Sequence, residues 1–167
     1  MEQYDESFYY YNQAILLNPN YFEAYNGRGM VYGYMGNHLE AYRDFNRAIQ
    51  IEPRNPHGYN GRGFTNYALG RYNEALNDFN MAIRMNNSDS KFYYGRGIVN
   101  LTLGKYEEAM SDFDRSIKLD PSNINAYLAR GGAYTKLAEL TNDVNKRNEY
   151  LDKARSDLER SQYLEQN

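Results

Sequence analysis

Residues 56–85 read PHGYNGRGFTNYALGRYNEALNDFNMAIRM, and this stretch decides the fold. Pro56 stands where a first helical turn begins, and there its missing N–H costs nothing. Asn55, just before it, is a good N-cap. Gly70 sits where a left-handed residue is expected after a helix C-terminus. Beyond it, Ala75, Phe79 and Ala82 recur at i, i+4 and i+7, an apolar stripe of helical period. Two of those three residues are small, so a paired helix can approach closely. The spacing predicts one helix over about 56–69 and a second over about 72–85.

The same unit recurs along the chain. Gly-Arg-Gly occurs at Gly27–Gly29, Gly61–Gly63 and Gly95–Gly97, each 34 residues after the last, and the next step lands on Ala129-Arg130-Gly131. Tyr25, Tyr59, Tyr93 and Tyr127 keep the step, as do Gly36, Gly70 and Gly104, and Phe45, Phe79 and Phe113. Asp89 and Asn123 repeat the capping place of Asn55. A fixed period of this length marks a stacked repeat in which each unit buries its apolar face on its neighbours.

The pattern Tyr59…Gly63…Leu69-Gly70-x-Tyr72-x-Glu74-Ala75…Phe79…Ala82, with its copy Tyr93…Gly97…Leu103-Gly104-x-Tyr106-x-Glu108-Ala109…Phe113…Pro121, resembles the tetratricopeptide repeat. That resemblance covers nearly the whole chain. It implies an all-α, right-handed superhelical solenoid of stacked antiparallel helix pairs. Local departures are Asn66 and Asn100 for a usual aromatic, His38 for a usual Tyr and Asn87 for the closing Pro. The expected organisation is a half repeat at 1–19 (second helix only), units at 20–53, 54–87 and 88–121, and a last unit at 122–167. The chain thus starts inside a repeat, as part of a longer array or with a capping half repeat; the first is preferred, because Phe8, Tyr9 and Tyr10 otherwise have no partner helix. In the last unit Ala109 and Asp112 recur at Ala154 and Asp157, 45 residues on rather than 34. The 11 extra residues are about three helical turns. They lengthen both helices, with Thr141-Asn142-Asp143 as turn and cap.

Two charged columns follow the register: Arg28, Arg62, Arg96 and Arg130 on first helices, Asp44, Asp78, Asp112 and Asp157 on second helices. An Arg–Asp brace is expected in every repeat. The truncated first unit has Tyr10 at the Asp place and no arginine, which favours pairing within a repeat over pairing between neighbours. Gly27, Gly61 and Gly95 each cost about 1 kcal/mol against alanine in a helix interior, so a close helix contact is expected to compensate.

In the resembled family the first helices line a concave groove that holds peptides. Carried over by position, the groove residues are Asn26, Met30 and Tyr34, then Asn60, Phe64 and Tyr67, then Tyr94, Ile98 and Leu101. Apolar side chains there give affinity and amides can bond to a peptide backbone. The competing reading is that part of this surface packs on neighbouring helices. Some family members grip acidic chaperone tails with Lys, Asn and Arg. Here Asn26 and Gly95 hold the Lys places, Met30 holds the Asn place and Lys91 stands alone, so that grip is not carried over. The implied function is a non-catalytic module binding a protein or peptide; the alternative is self-assembly through the N-terminal half repeat and the terminal hairpin.

Composition bounds the rest. The net charge of −3 lacks the basic surplus of a nucleic-acid binder. No apolar run approaches the roughly 18 residues of a membrane span. With no cysteine, disulfides and thiolate chemistry are excluded, and cytoplasmic and exported locations fit alike. His38 and His57 lie on different units without ligand-spaced partners, so neither metal nor cofactor is expected. Asn100-Leu101-Thr102 matches a glycosylation acceptor but falls in a packed helix. Nineteen tyrosines and no tryptophan make the aromatic surface phenolic.

Overall fold

A computed structural model describes residues 2–166, with side chains from residue 6 onward. Among these residues there are nine α-helices and no strand. They fall into two compact units, Met1–Asn87 and Ser88–Asn167.

The first unit holds α1 (Glu2–Leu17), α2 (Phe22–Tyr34), α3 (His38–Ile51), α4 (Pro56–Ala68) and α5 (Tyr72–Met85). Each helix packs on the next, and α4 also touches α2. Asn55 Oδ1 accepts from the His57 N–H at 3.1 Å and starts α4. Gly36 and Gly70 adopt φ of +78° and +72°, a conformation costly for any side chain. Behind each, the next amide reaches back into the helix: Asn37 N–H to the Tyr32 carbonyl and Arg71 N–H to the Asn66 carbonyl, both at 2.8 Å. This closure satisfies carbonyls that a helix end leaves without partners.

The second unit holds α6 (Ser90–Thr102), α7 (Tyr106–Leu119), α8 (Ile124–Leu140) and α9 (Val144–Gln166). Asp89 caps α6 through the Lys91 N–H, and Asn123 caps α8 through the Ala126 N–H. The last two helices have 17 and 23 residues, against 13 and 14 in α6 and α7. Asp143 Oδ1 accepts from the N–H groups of Asn145 and Lys146 and opens α9.

The apolar stripe of each second helix is the core. Ala41, Phe45 and Ala48 on α3, Ala75, Phe79 and Ala82 on α5, and Ala109 and Phe113 on α7 are all buried. Burying a phenylalanine side chain contributes about 1.5–3 kcal/mol. The rings need flat backbone to lie on, and glycine supplies it. A β-carbon on Gly29 would stand 3.1 Å from the Phe45 ring, and one on Gly61 only 2.2 Å from it. Phe45 is therefore clasped between glycines of two successive first helices. A β-carbon on Gly27 would likewise run into the Tyr11 ring.

Phe8 departs from the expectation that it lacks a partner. It meets Tyr32 of α2 edge-on, with ring centroids 5.1 Å apart. Tyr9 and Tyr10, on the other side of α1, are 59% and 61% exposed.

Candidate functional site

Each arginine column is held at a helix-pair interface. In the first unit Arg28 donates from Nε and Nη2 to Asp44, both at 2.7 Å, and Arg62 donates to Asp78 at 3.0 and 2.6 Å. In the second unit Arg96 Nη2 reaches Asp112 at 2.6 Å, and Arg130 reaches Asp157 at 2.9 and 2.5 Å. The carboxylates are almost completely buried and the guanidinium groups largely so. Two parallel N–H donors on one carboxylate form the bidentate geometry that suits arginine.

The pairing is wider than one repeat. Arg28 Nη1 also donates to Asn12 and Arg62 Nη1 to Asn46, each at 2.6 Å, and Arg130 Nη1 to Asp114 at 2.5 Å. Asn12, Asn46 and Asp114 lie on the second helix before each arginine, so one guanidinium ties two helices together. A column at residues 12, 46, 80 and 114 was the signal for this, and attention to the Asp column alone passes over it. Each arginine thus bonds the aspartate of its own repeat, and Arg28, Arg62 and Arg130 also reach into the preceding one. The physical reason is that a guanidinium has five donors and one carboxylate uses only two or three.

Neighbouring residues complete the environment. Tyr25, Tyr59, Tyr93 and Tyr127 each place a ring 5.5–5.7 Å from the guanidinium three residues on. Asn66 and Asn100, which replace an aromatic, donate to Asp78 at 2.9 Å and Asp112 at 3.1 Å. Asn100 is buried, as befits a packed helix. The hydrogen bond to Asp44 holds the Arg28 pKa above its ordinary value against the opposing effect of burial. For Arg62 burial is the larger single effect and lowers the pKa, but hydrogen bonding and attraction to Asp78 together outweigh it. Arg130 is raised furthest, by Asp157 first and with Asp114 adding to it.

The nine peptide-groove positions are less uniform. On α2, Met30 is 46% and Tyr34 74% exposed, while Asn26 is half-buried. On α4, Asn60, Phe64 and Tyr67 are half-buried; Phe64 packs edge-on against Phe79 at 5.0 Å, and Tyr67 meets Tyr72 at a tilt, with centroids 5.8 Å apart. On α6, Tyr94, Ile98 and Leu101 are half-buried, and Tyr94 leans on Phe113 at 6.2 Å. Part of this surface is thus helix packing. The Oδ1 atoms of Asn26 and Asn60, one period apart, are buried and have no hydrogen-bond partner in the protein. Among the described residues no cluster of His, Cys, Asp or Glu is arranged to hold a metal ion, and no helix is long and apolar enough to cross a membrane.

Two family models of the tetratricopeptide repeat match the chain, over residues 22–55 and 65–124. The chain belongs to the tetratricopeptide repeat family. Solved structures agree in fold. A crystal structure of MamA is 21% identical with a TM-score of 0.76, over 96% of this chain and 91% of that one. YrrB, described as a tetratricopeptide repeat protein with an unusual peptide-binding site, is 22% identical with a TM-score of 0.69, over 99% and 85%. The first tetratricopeptide repeat domain of Spaghetti (RPAP3), bound to the HSP90 peptide SRMEEVD, is 28% identical with a TM-score of 0.66, over 70% and 93%. No curated protein sequence matches this chain. The protein is an all-α tetratricopeptide repeat solenoid.

Proposed function

We propose that this protein is a non-catalytic interaction module that binds a peptide or partner protein on the faces of its first helices. The carrying observation is the exposure of two large apolar or aromatic side chains, Met30 and Tyr34, on α2. In the same unit, Asn26, Asn60, Phe64 and Tyr67 stand half-buried at the corresponding positions of α2 and α4. RPAP3 and YrrB, which share the fold, are described with peptide sites, and this supports the reading. The chain's own chemistry points to an apolar or aromatic ligand rather than an acidic tail, since Lys91 is the only lysine among the corresponding positions. Arginine columns that could have drawn an anion are occupied by Asp and Asn. Helices held this firmly lose little ordering entropy on binding.

The test is selection from a displayed peptide library on the wild-type protein, with retention measured on Met30→Glu/Tyr34→Ser. Both positions are exposed, and circular dichroism of the variant checks that its helices are intact. Peptides retained by wild type and lost by the variant are expected. Equal retention by both moves binding off this face. A second reading is self-assembly through α1, favoured by the exposure of Tyr9, Tyr10, Leu16 and Leu17. It predicts a molar mass by light scattering that grows with concentration.

A further inference from the structure

The helical glycines of the first unit face side chains, with one exception. A β-carbon on Gly27 would meet the Tyr11 ring, on Gly29 or Gly61 the Phe45 ring, on Gly63 the Phe79 ring and on Gly58 the Ile49 side chain. On Gly33 it would meet nothing within 4 Å. Gly33 does not have a positive φ, so neither backbone nor packing within the unit asks for glycine there. Glycine is also a poorer helix former than the alanine that would fit.

The repeat register shows what is missing. Tyr67, Leu101 and Thr135 hold the place of Gly33 in the later repeats, and His38 stands where Tyr72 does. Between α4 and α5 the rings of Tyr67 and Tyr72 meet, with centroids 5.8 Å apart. Between α2 and α3 both of those rings are absent. The gap adjoins Met30 and Tyr34, the two exposed large side chains of the α2 face. A helix set ahead of α2 by the same register would not close it. α4 turns Gly58 toward α2, with the Phe22 ring 3.5 Å from its β-carbon position, and the matching residue of α2 is Ala24, which is already buried.

The charge on this face is also one-sided. Among Glu23, Asn26, Met30, Gly33 and Tyr34 the only charged group is Glu23. It is exposed and enters no ion pair among the described residues. From Glu23 to Gly33 the helix rises about 15 Å, a span that an extended chain covers in roughly four or five residues.

We propose that the gap at Gly33 takes an aromatic side chain of the bound peptide, and that a lysine or arginine of the same peptide lies against Glu23. This rests on the reading that peptide binds the α2 face. The ring lies on the backbone of Gly33, in the place that Tyr67 fills one repeat later, between the Met30 thioether and the Tyr34 ring. Sulfur and aromatic edges both favour a ring there. The exposed ion pair at Glu23 sets the direction of the peptide and adds little affinity.

The probe is the displayed peptide library, selected on the wild-type protein and followed up with single fluorescent peptides by anisotropy. Peptides lost on Met30→Glu/Tyr34→Ser are expected to share an aromatic residue with a lysine or arginine roughly four or five positions away. Gly33→Leu fills the gap with the side chain that Leu101 supplies at the same register, and circular dichroism checks its helices. It is expected to weaken such a peptide about tenfold, or about 1.4 kcal/mol. Alanine in place of the peptide's aromatic residue is expected to cost as much. The two changes together cost no more than either alone, because they remove one contact. Glu23→Lys is expected to weaken binding about threefold, regained when the peptide's basic residue becomes glutamate. Peptides that bind this face without the aromatic and basic pair overturn the inference and leave the reading of the face standing. So does binding to Gly33→Leu or Glu23→Lys as tight as to wild type. Binding that Met30→Glu/Tyr34→Ser leaves unchanged overturns both.

Discussion

Replacing Asp78 by alanine removes a carboxylate that accepts from Arg62 Nε and Nη2 and from Asn66 Nδ2. The carboxylate side chain is 6% exposed and the guanidinium 22%, so water cannot replace what is lost. Breaking a buried pair by removing one partner costs about 3–5 kcal/mol, because the other charge stays buried and unmatched. Arg62 keeps its bond to Asn46 and a little solvent, which places the expected loss near the lower end, about 3 kcal/mol. In a chain of this size that lowers Tm by about 6–12 °C. Asp78→Ala/Arg62→Leu removes both charges and is expected to recover about half the loss, the remainder being the orphaned amides of Asn46 and Asn66. Thermal and urea melts followed by circular dichroism give both values. A single variant within about 0.5 kcal/mol of wild type, or a double variant that loses the sum of the two single losses, refutes the brace.

Other consequences are smaller or of opposite sign. Asn46→Ala is expected to cost about 1.5–3 kcal/mol, the range of a hydrogen bond to a charged group, as judged by the shift in urea midpoint. Gly61→Ala drives a β-carbon into the Phe45 ring, which Gly29 blocks from behind; overpacking of about 1–3 kcal/mol outweighs the gain in helix propensity, and Tm falls. Gly132→Ala meets nothing and is expected to raise stability by up to about 1 kcal/mol in the same melts. Tyr134 has a raised pKa, first through burial and then through Asp114. The folded state therefore holds this proton more tightly than the unfolded chain. Its contribution is intact below the ordinary tyrosine value of 10.0 and declines as pH rises past it toward the folded value. Tyr134→Phe should lose less stability than wild type across that alkaline window, measured as urea midpoint against pH.

The fold was legible because the chain states one unit several times. Glycines at left-handed turns and an Ala–Phe–Ala stripe mean little singly, but their recurrence at 34 residues fixes helix pairs and their stacking. The surface was legible only in part, since register gives a residue's direction but not how far its neighbours reach. Phe64 and Tyr94 hold the register position of Met30's neighbours in their own repeats, yet Phe64 packs on Phe79 and Tyr94 leans on Phe113. Phe8 was hidden for a related reason: its partner Tyr32 belongs to the following helix, whereas the reading by register looked for one before it. The Asn12, Asn46 and Asp114 contacts follow from donor arithmetic, which an Arg–Asp pairing rule leaves incomplete.

The central claim, that ligand binds on the first-helix faces, is tested most directly by NMR. The isotope-labelled protein is titrated with the strongest peptide from the library selection. The account predicts chemical-shift changes concentrated at Met30, Tyr34 and the adjoining face of α2, and at the corresponding positions of α4 and α6. Changes concentrated instead on α3, α5 and α7 contradict it.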